Sequence, residues 1–547
     1  MAQTGFMEQI YEGRFNRELF HAALPLTECD RVADLIEAYR SLVAAYPPAS
    51  IEQAGSIPPE MLIKMGEQGF FGLTVPKVYG GQGLGLADCM RIVEAVAPID
   101  LSVALVFLAH LFIGIKGIEL YGTEEQKQRY LTLAASGKMI FSYALTEPLT
   151  GSDARHIETR ADLAPDGSHY ILNGTKTYIT NANYAGGLTV FAQLDPQKPG
   201  HMGAFIVETA WNGVQIGPDM PKMGLKASST ATIRLKDVRV PRENLLGPAG
   251  AGFKIALTVL HYGRMGLGAA SRGVMVQSVK DMHNRATSRR QFGQPIIQFP
   301  LIREKIGKAG VHAFVMGAMN DFAAVLLEKN PEETVIETSH CKLFGTTRAW
   351  EALHDALQVF GGAGYLATQP CEKRMRDFRV TTIFEGTTEI HSIYPALLGM
   401  KQLGDEIKKH SGFSRFLFLG ETLLTGFWNA GWPANPKDLL HKRAFREAKL
   451  LARMIRRRIW LGVLVYGKTL VKREFLLRRI TVLSLYLFGI LSVLAKLPHD
   501  NPTGIDDPFD RKRLAWFLEE AATARKENDR FLDSRMEKGL IGPDLIS

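Results

Sequence analysis

An α+β fold, mostly α, is predicted for this 547-residue chain, and three observations predict it. Helical spacing of apolar residues dominates up to about residue 140. Around Phe141 the period changes to that of strands, with tight-turn dipeptides between short β-prone runs, and Asp237 to Pro241 leads out of this region. Three predominantly helical stretches follow, so the order is helices, a compact β domain, then helices. Composition changes again near Gly404. The resulting division is a helical domain over 1–141, a β domain over 142–245, a second helical domain over 246–404 and a helical extension over 405–547.

Each element has its own signals. Val32 to Ala45 has helical spacing and stops at Pro47-Pro48; Pro58-Pro59 opens another helix, which Gly69 ends. The glycine loop Val75–Gly85 lacks GxGxxG spacing and is not read as a dinucleotide fingerprint. His110 interrupts the apolar run Leu101 to Ile115 and reads as a hydrogen-bonded core residue. Thr123 caps a helix whose first turn holds Glu124 and Glu125. Asp166-Gly167 and Asn173-Gly174 read as turns on either side of a strand, His169 to Leu172. Further strands are predicted at Tyr178–Thr180, Leu188–Leu194, Ala204–Val207 and Thr230–Leu235. Helices are predicted over Gly252–Arg289, Leu301–Glu328 and Glu333–Phe360.

The four cysteines, Cys29, Cys89, Cys341 and Cys371, are widely spaced and form no CxxC pair. That argues against zinc, iron–sulfur and disulfide frameworks and for a reducing compartment. The N-terminus, with Glu8, Glu12 and Glu18, has no apolar leader region. The expected location is cytoplasmic, peripheral on the inner membrane in a bacterium, or the mitochondrial matrix face for a processed eukaryotic chain.

The net charge of +9 is local in origin. His441 to Arg479 holds thirteen Lys/Arg against two acids, and the rest of the chain is slightly acidic. On a helix, Lys442, Arg446, Lys449, Arg453 and Arg456 form one basic stripe, and Ala444, Ala448, Leu451, Ile455 and Ile459 the opposite apolar one. This is the pattern of a helix lying in a membrane interface, with Trp428, Trp432 and Trp460 at headgroup level and Arg458 snorkelling. A solvated helix face is the plainer alternative. Ile480 to Ala495 is uncharged, short for a membrane span, and reads as core.

Chemistry concentrates in Gln358–His391. An apolar run ends in Gly361, Gly362 and Gly364, where backbone can approach a ligand. A charged segment follows. Then Thr381-Thr382-Ile383-Phe384 delivers Glu385 into Gly386-Thr387. A carboxylate in that setting is poorly solvated, and its pKa is expected to rise, as suits a general base. A buried, helix-capping glutamate would read the same way. The loop Tyr143–Asp153 offers the hydroxyls of Thr146 and Ser152 and the backbone of Gly151, which suit a polar ring edge or a pyrophosphate. Tyr178 and Thr180 add an aromatic face beside another hydroxyl. Arg289, in Arg289-Arg290-Gln291-Phe292-Gly293, offers a guanidinium to a phosphate, or merely decorates a helix end.

Five pieces in order, Tyr143–Asp153 (YALTEPLTGSD), Asn173–Asn181 (NGTKTYITN), Arg289–Gly293 (RRQFG), Gln358–Gly364 (QVFGGAG) and Ile383–Ile390 (IFEGTTEI), resemble the acyl-CoA dehydrogenase family over about residues 30–405. The long extension and the Phe253–Arg264 and Glu385 contexts resemble its very-long-chain branch. The resemblance implies an N-terminal helical domain, a middle β-barrel domain and a C-terminal four-helix domain, with FAD and no metal. It implies Glu385 as catalytic base, with Tyr143, Thr146, Ser152, Tyr178 and Thr180 around the flavin. Arg289, Gln291, Phe292, Gln358 and Gly362 would contact the FAD of a neighbouring subunit, and Thr387 and Glu389 its adenine end. Ser152, Arg264 and Gly386 would meet the acyl-CoA. The implied reaction is oxidation of a fatty acyl-CoA to trans-2-enoyl-CoA, the first step of fatty acid β-oxidation. Electrons would pass to an electron-transfer flavoprotein. The implied assembly is a homodimer or dimer of dimers.

Some positions depart from the family pattern. Leu149-Thr150 replaces small residues, Tyr178 a tryptophan and Glu389 an amide. Ser102–His110 is bulkier than the glycine-rich equivalent of the very-long-chain enzymes, which would shorten an acyl pocket that it floors. Two readings stand beside a membrane-associated dehydrogenase: a scaffold that keeps its flavin, and a DNA-binding flavoprotein using 441–479. An intact FEGT favours an enzyme. Aliphatic residues interleaved with the basic stripe favour an anionic membrane over nucleic acid.

Overall fold

The computed structural model describes residues 4–22, 29–411, 414, 432, 438–496, 507–534 and 537. It contains two compact units. One is built from Glu28–Ile306 and Arg348–Glu385, the other from Met1–Thr27, Gly307–Thr347 and Gly386–Ser547. Residues 246–404 are thus divided between them.

In the first unit, Asp100 caps the helix Leu101–Ala109 by accepting from Val103 N at 3.1 Å, and all nine helical residues are buried. A π-turn, His110–Gly114, follows. His110 is the expected core histidine. Its Nε2 lies 3.2 Å from Phe71 O, and Phe141 N donates to its Nδ1 at 2.9 Å, so it ties this helix to the first strand. Burial depresses its pKa to about 3, so the ring is neutral. Thr123 and Gln126 form the capping box that their spacing predicts.

The strands of the main sheet are β1 (Ile140–Ala144), β2 (Arg160–Leu163), β3 (His169–Thr180), β4 (Ala185–Gln193), β5 (Met202–Glu208), β6 (Val214–Ile216), β7 (Thr230–Pro241) and β8 (Leu245–Gly250). They form one eight-stranded mixed sheet in the order β6-β7-β3-β2-β4-β5-β8, with β1 parallel to β4. Its side chains, among them Leu172, Leu188, Val190, Phe205, Ile233 and Val238, close on one core.

Two strand expectations are corrected. Asn173-Gly174 is not a hairpin turn, because β3 runs straight through it with shifts of register against β7 at Leu172/Gly174 and again at Lys176/Ile179. Asn173 Nδ2 donates to Asp237 Oδ1 at 3.1 Å, and Asp237 N returns a bond to Asn173 Oδ1 at 2.8 Å, which holds a bulge. The backbone of Gly174 lies against Thr159, where a Cβ would come within 2.3 Å of Oγ1. Likewise Asp237–Pro241 continues β7 rather than leaving the sheet, and β8, which pairs with β5, was not foreseen.

In the second unit, Asp438 caps the helix Leu439–Tyr466, which packs against the helices Phe6–Tyr11, Thr388–Lys409, Glu474–Ala495 and Pro508–Glu527. The run Ile480–Ala495 is core, as expected. The interfacial-helix picture is corrected. Ala444, Ala448, Leu451, Ile455 and Ile459 are at most 2% exposed and pack within the protein, so they cannot face lipid. Arg456 leaves the basic stripe: it is buried, with its guanidinium over Gly13. Arg458 does not snorkel but pairs with Asp529 at 2.9 Å. Trp432 and Trp460 are buried rather than at an interface, and Trp428 lies outside the described residues. Lys442, Arg446 and Arg453 remain exposed, with Lys449 half-buried.

Candidate active site

Glu385 ends the first unit. The helix Pro370–Phe378 and the single turn Arg379–Thr382 lead to it. Its own φ is +56°, a left-handed conformation that L-residues rarely hold. The 252–288 helix runs beneath it. A Cβ built on Gly263 would lie 2.9 Å from Glu385 Oε2 and 2.9 Å from Ile113 Cγ2, so the carboxylate sits on a bare stretch of helix backbone. One residue on, Arg264 is buried, and its Nε donates to Glu385 O at 3.5 Å. Its Nη1 lies 3.2 Å from His261 Nδ1. Burial first, and then the Arg264 charge, holds His261 well below the usual imidazole range, so Arg264 carries the positive charge of that pair.

Tyr143 closes another side. Its hydroxyl donates to Ala256 O at 3.1 Å, and its ring lies 5.0 Å from that of Phe191. Burial, reinforced by the negative field of Glu385 against that of Arg264, raises its pKa well above the ordinary phenol range. The phenol is therefore a neutral wall beside the carboxylate.

The remaining candidates within this unit fall into two groups. Thr177 N donates to Thr146 O at 2.9 Å, and Ser142 Oγ to Thr180 O at 2.8 Å, which brings Tyr143, Thr146, Tyr178 and Thr180 together where β1 and β3 end. Tyr178 has φ +57° and is 67% exposed, a large aromatic turned out of its strand. Ser152 is exposed in the adjoining loop. Arg289, Gln291 and Phe292 lie at the far end of the 252–288 helix, about 37 Å from Arg264 by helical rise. Phe292, also left-handed, is 92% exposed. Arg285 Nη2 donates to Phe360 O at 3.4 Å, which brings Gln358 and Gly362 to that same end. Added Cβ atoms at Gly361 and Gly362 would meet nothing within 4 Å, whereas one at Gly364 would collide with Leu357 O.

Gly386, Thr387 and Glu389 belong to the second unit. Gly386 has φ +96°, and its carbonyl accepts from Lys342 Nζ. A Cβ there would lie 2.6 Å from His391 Nε2, whose ring is fixed by Ser339 at 2.7 Å from Nδ1. Thr387 caps the 388–409 helix, accepting from Ile390 N at 3.4 Å, and Glu389 is exposed in its first turn.

Three stretches of the chain match family models: acyl-CoA dehydrogenase N-terminal domain over 32–138, middle domain over 142–238 and C-terminal domain over 250–394. The chain is 35% identical over 479 residues to the human mitochondrial very long-chain specific acyl-CoA dehydrogenase, covering 84% of this chain and 73% of the relative. It belongs to the acyl-CoA dehydrogenase family. Among solved structures, an acyl-CoA dehydrogenase complexed with FAD from Bacillus anthracis aligns with TM-score 0.79 at 28% identity, over 99% of this chain and 94% of the other. Butyryl-CoA dehydrogenase from Megasphaera elsdenii aligns with TM-score 0.65 at 30% identity, over 69% of this chain and 100% of its own.

This dehydrogenase is thus an FAD-dependent oxidoreductase acting on acyl-CoA, with the family's three-domain fold. Its residues fit the cofactor. Thr146 and Thr180 are half-buried hydroxyls that make no hydrogen bond of their own to the described residues, beside an outward-turned tyrosine. The second group offers an exposed guanidinium and open glycine backbone, which suit a pyrophosphate. The loop that carries Thr146 is held by a buried ion pair. Glu147 Oε1 lies 2.7 Å from Lys176 Nζ, and its two oxygens also accept from Glu158 N at 2.5 Å and Thr159 N at 3.0 Å. Sequence reasoning missed this pair, as it missed Gly263 and His261. Glu147 is visible only as one acid in a loop, and Lys176 lies twenty-nine residues away.

Proposed function

We propose that this dehydrogenase oxidises long-chain fatty acyl-CoA to trans-2-enoyl-CoA, with Glu385 as base, at an anionic membrane surface. The observation that carries the reading is the seat of Glu385. Its carboxylate lies on Gly263, and Tyr143 and Arg264 enclose the same place. There Glu385 Oε takes the α-proton of the thioester. FAD, when bound, supplies the acceptor for the hydride leaving Cβ. The Glu385 backbone N–H is assigned to the thioester oxygen, where negative charge grows. Arg264, bonded to the carbonyl of the same residue, keeps that backbone in its left-handed setting. Tyr143 and the apolar Phe384 side keep water from the base. Ser152, Arg264 and Gly386 are assigned to acyl-CoA.

Thr146, Tyr178 and Thr180 are assigned to the flavin of their own subunit. The distance along the 252–288 helix supports assigning Arg289, Gln291, Phe292, Gln358 and Gly362 to the FAD of a second subunit, in a homodimer. Thr387 and Glu389 are assigned to the adenine end. An electron-transfer flavoprotein is the proposed acceptor. Lys442, Arg446, Lys449 and Arg453 share one face of the 439–466 helix and line one open cleft. Such a cationic face suits peripheral attachment by charge alone, on the cytoplasmic face of a bacterial inner membrane or the matrix face of a mitochondrial one.

The test is the flavin absorbance of the purified protein, titrated anaerobically with acyl-CoAs of graded length. Bleaching that strengthens toward long chains is expected. Bleaching confined to short chains would assign the bulk of Ser102–His110 the controlling role. No bleaching with any acyl-CoA would overturn the reaction.

A further inference from the structure

Where the helices 439–466 and 474–495 lie together, two arginines are buried. Arg458 and Arg479 have side chains 7% and 5% exposed. Their counter-charges all come from one short C-terminal segment. Asp529 Oδ1 lies 2.9 Å from Arg458 Nη2, Asp533 Oδ1 3.0 Å from Arg479 Nη2, and Glu537 Oε1 2.7 Å from Arg479 Nη1. Arg478 approaches Glu537 at 4.0 Å. The segment also lays Phe531 on Tyr466, ring centroids 5.7 Å apart.

These carboxylates do not complete the site. Arg458 Nη1 and Arg479 Nε are buried and have no hydrogen-bond partner among the described residues. The arginines also repel one another. Burial first, and the charges of Arg479 and Arg457, bring the Arg458 pKa below its ordinary value despite Asp529. A buried guanidinium without a counter-charge costs several kcal/mol; the three carboxylates supply that charge here and leave only the two N–H donors unmet. A guanidinium fork pairs best with an oxyanion presenting several acceptors. A tetrahedral oxyanion offers more of them than a carboxylate and could take the two donors left over. The grip of the segment is also uneven, because the Asp529 side chain is 70% exposed, and exposed pairs contribute little.

We propose that Arg458 and Arg479 form a binding site for a phosphate-bearing ligand, which the carboxylates of Asp529, Asp533 and Glu537 occupy as displaceable stand-ins. The ligand is a phosphomonoester or phosphodiester, either free in solution or as the headgroup of an anionic lipid. The site is separate from the cationic face of Lys442, Arg446, Lys449 and Arg453, and does not depend on their proposed role.

The test uses the full-length FAD-loaded protein. Asp529→Asn, Asp533→Asn and Glu537→Gln together remove the three carboxylates that face Arg458 and Arg479 and keep their shape, with Arg530 and Arg535 unchanged. At constant ionic strength, inorganic phosphate is expected to raise the Tm of this variant by several degrees, in step with the logarithm of its concentration. Wild type responds far less, and adding Arg479→Met abolishes the response. Asp533→Asn alone serves if the triple variant does not fold. Vesicles of phosphatidylglycerol and of phosphatidylcholine separate the two sources. Sedimentation of the triple variant with the anionic vesicles at about tenfold less lipid than wild type identifies a lipid headgroup. A phosphate response without that gain identifies a soluble ligand. If removing these carboxylates leaves both the phosphate response and the sedimentation as in wild type, the proposal is wrong. That cationic face is intact in every variant, so this failure is distinct from failure of the membrane proposal.

Discussion

Glu385 rests its carboxylate on Gly263, so closely that one added methyl would stand 2.9 Å from Oε2. The glycine is therefore part of the geometry of the proposed base although it has no side chain of its own. Gly263→Ala is expected to push the carboxylate off its seat. A misplacement of about 1 Å at a reacting group costs on the order of 100-fold. Flavin reduction by substrate in rapid mixing should fall by about that factor, with FAD content unchanged. Reduction at the wild-type rate would mean that Glu385 is held by other contacts.

The left-handed backbone of Glu385 sets stability against chemistry. Glu385→Gly removes both the base and the steric cost of φ +56°, a relief of roughly 1 kcal/mol. Glu385→Gln removes the base alone. Both are expected to keep FAD and lose flavin reduction by on the order of 10²–10⁴-fold or more. Only the glycine variant should gain in thermal stability. Parallel melting curves and single-turnover reduction check both halves. Reduction that survives in the glutamine variant would move the base to another residue.

Much of this was legible in the sequence, and the misses have physical causes. The helices over 252–288, 300–329 and 335–360 follow from apolar spacing and Pro/Gly punctuation, which are local signals. Thr123 was legible as a cap for the same reason. Asn173-Gly174 satisfies a turn and a bulge equally well, and the choice is made by Asp237, 64 residues away. The 439–466 helix shows the other limit. Its two faces correctly announced an apolar side to be buried, but periodicity does not distinguish a protein neighbour from lipid. Arg456 continues the basic stripe by angle, yet it is buried over Gly13. At the site, the apolar lead-in and following glycine of Glu385 fit a general base and a buried capping glutamate equally, and only the family resemblance assigned it the base. Gly263 looked like any glycine in a long helix.

The distance between the two groups assigned to FAD carries a prediction about assembly. Arg289 is exposed at the end of its helix, far from the Glu385 site of its own subunit. Arg289→Ala is expected to weaken FAD retention and dimerisation together, since a ligand shared between subunits links the two by mass action. Gel filtration with absorbance at protein and flavin wavelengths reads both. A variant that elutes dimeric and fully yellow would place Arg289 outside the cofactor site.

A buried carboxyl in the second unit carries a pH dependence. Glu337 is fully buried, and Met7 N donates to its Oε1 at 2.7 Å. Burial, helped by nearby Glu8 and Glu333, raises its pKa from 4.5 to about 8. Between those values the folded protein holds a proton that the unfolded chain has lost. Stability from this group is therefore complete below the unfolded value and falls as pH rises toward 8, by about 1.4 kcal/mol per pH unit. Glu337→Gln keeps the acceptor for Met7 and removes the titration. Its stability relative to wild type should rise by up to about 3 kcal/mol between pH 5.5 and 7.5. A difference in unfolding free energy that stays flat over that range would show that Glu337 ionises normally.

The last prediction concerns the cationic face and separates charge from insertion. Because the apolar face of the 439–466 helix is packed within the protein, membrane attachment would rest on Lys442, Arg446, Lys449 and Arg453. Each contributes roughly 1 kcal/mol near an anionic surface, and salt screens it with a Debye length of about 8 Å at physiological ionic strength. Intact protein is expected to sediment with vesicles containing phosphatidylglycerol, less so at high salt, and not with neutral vesicles. Arg446→Glu, Lys449→Glu and Arg453→Glu together should abolish sedimentation and leave flavin reduction unchanged, since none of the three is assigned to the catalytic machinery. Arg456 is deliberately excluded, because reversing a buried charge would test folding rather than binding. Salt-insensitive sedimentation, or equal sedimentation of wild type and triple variant, would refute attachment by this face. Binding to DNA at physiological salt with none to vesicles would assign the face to nucleic acid.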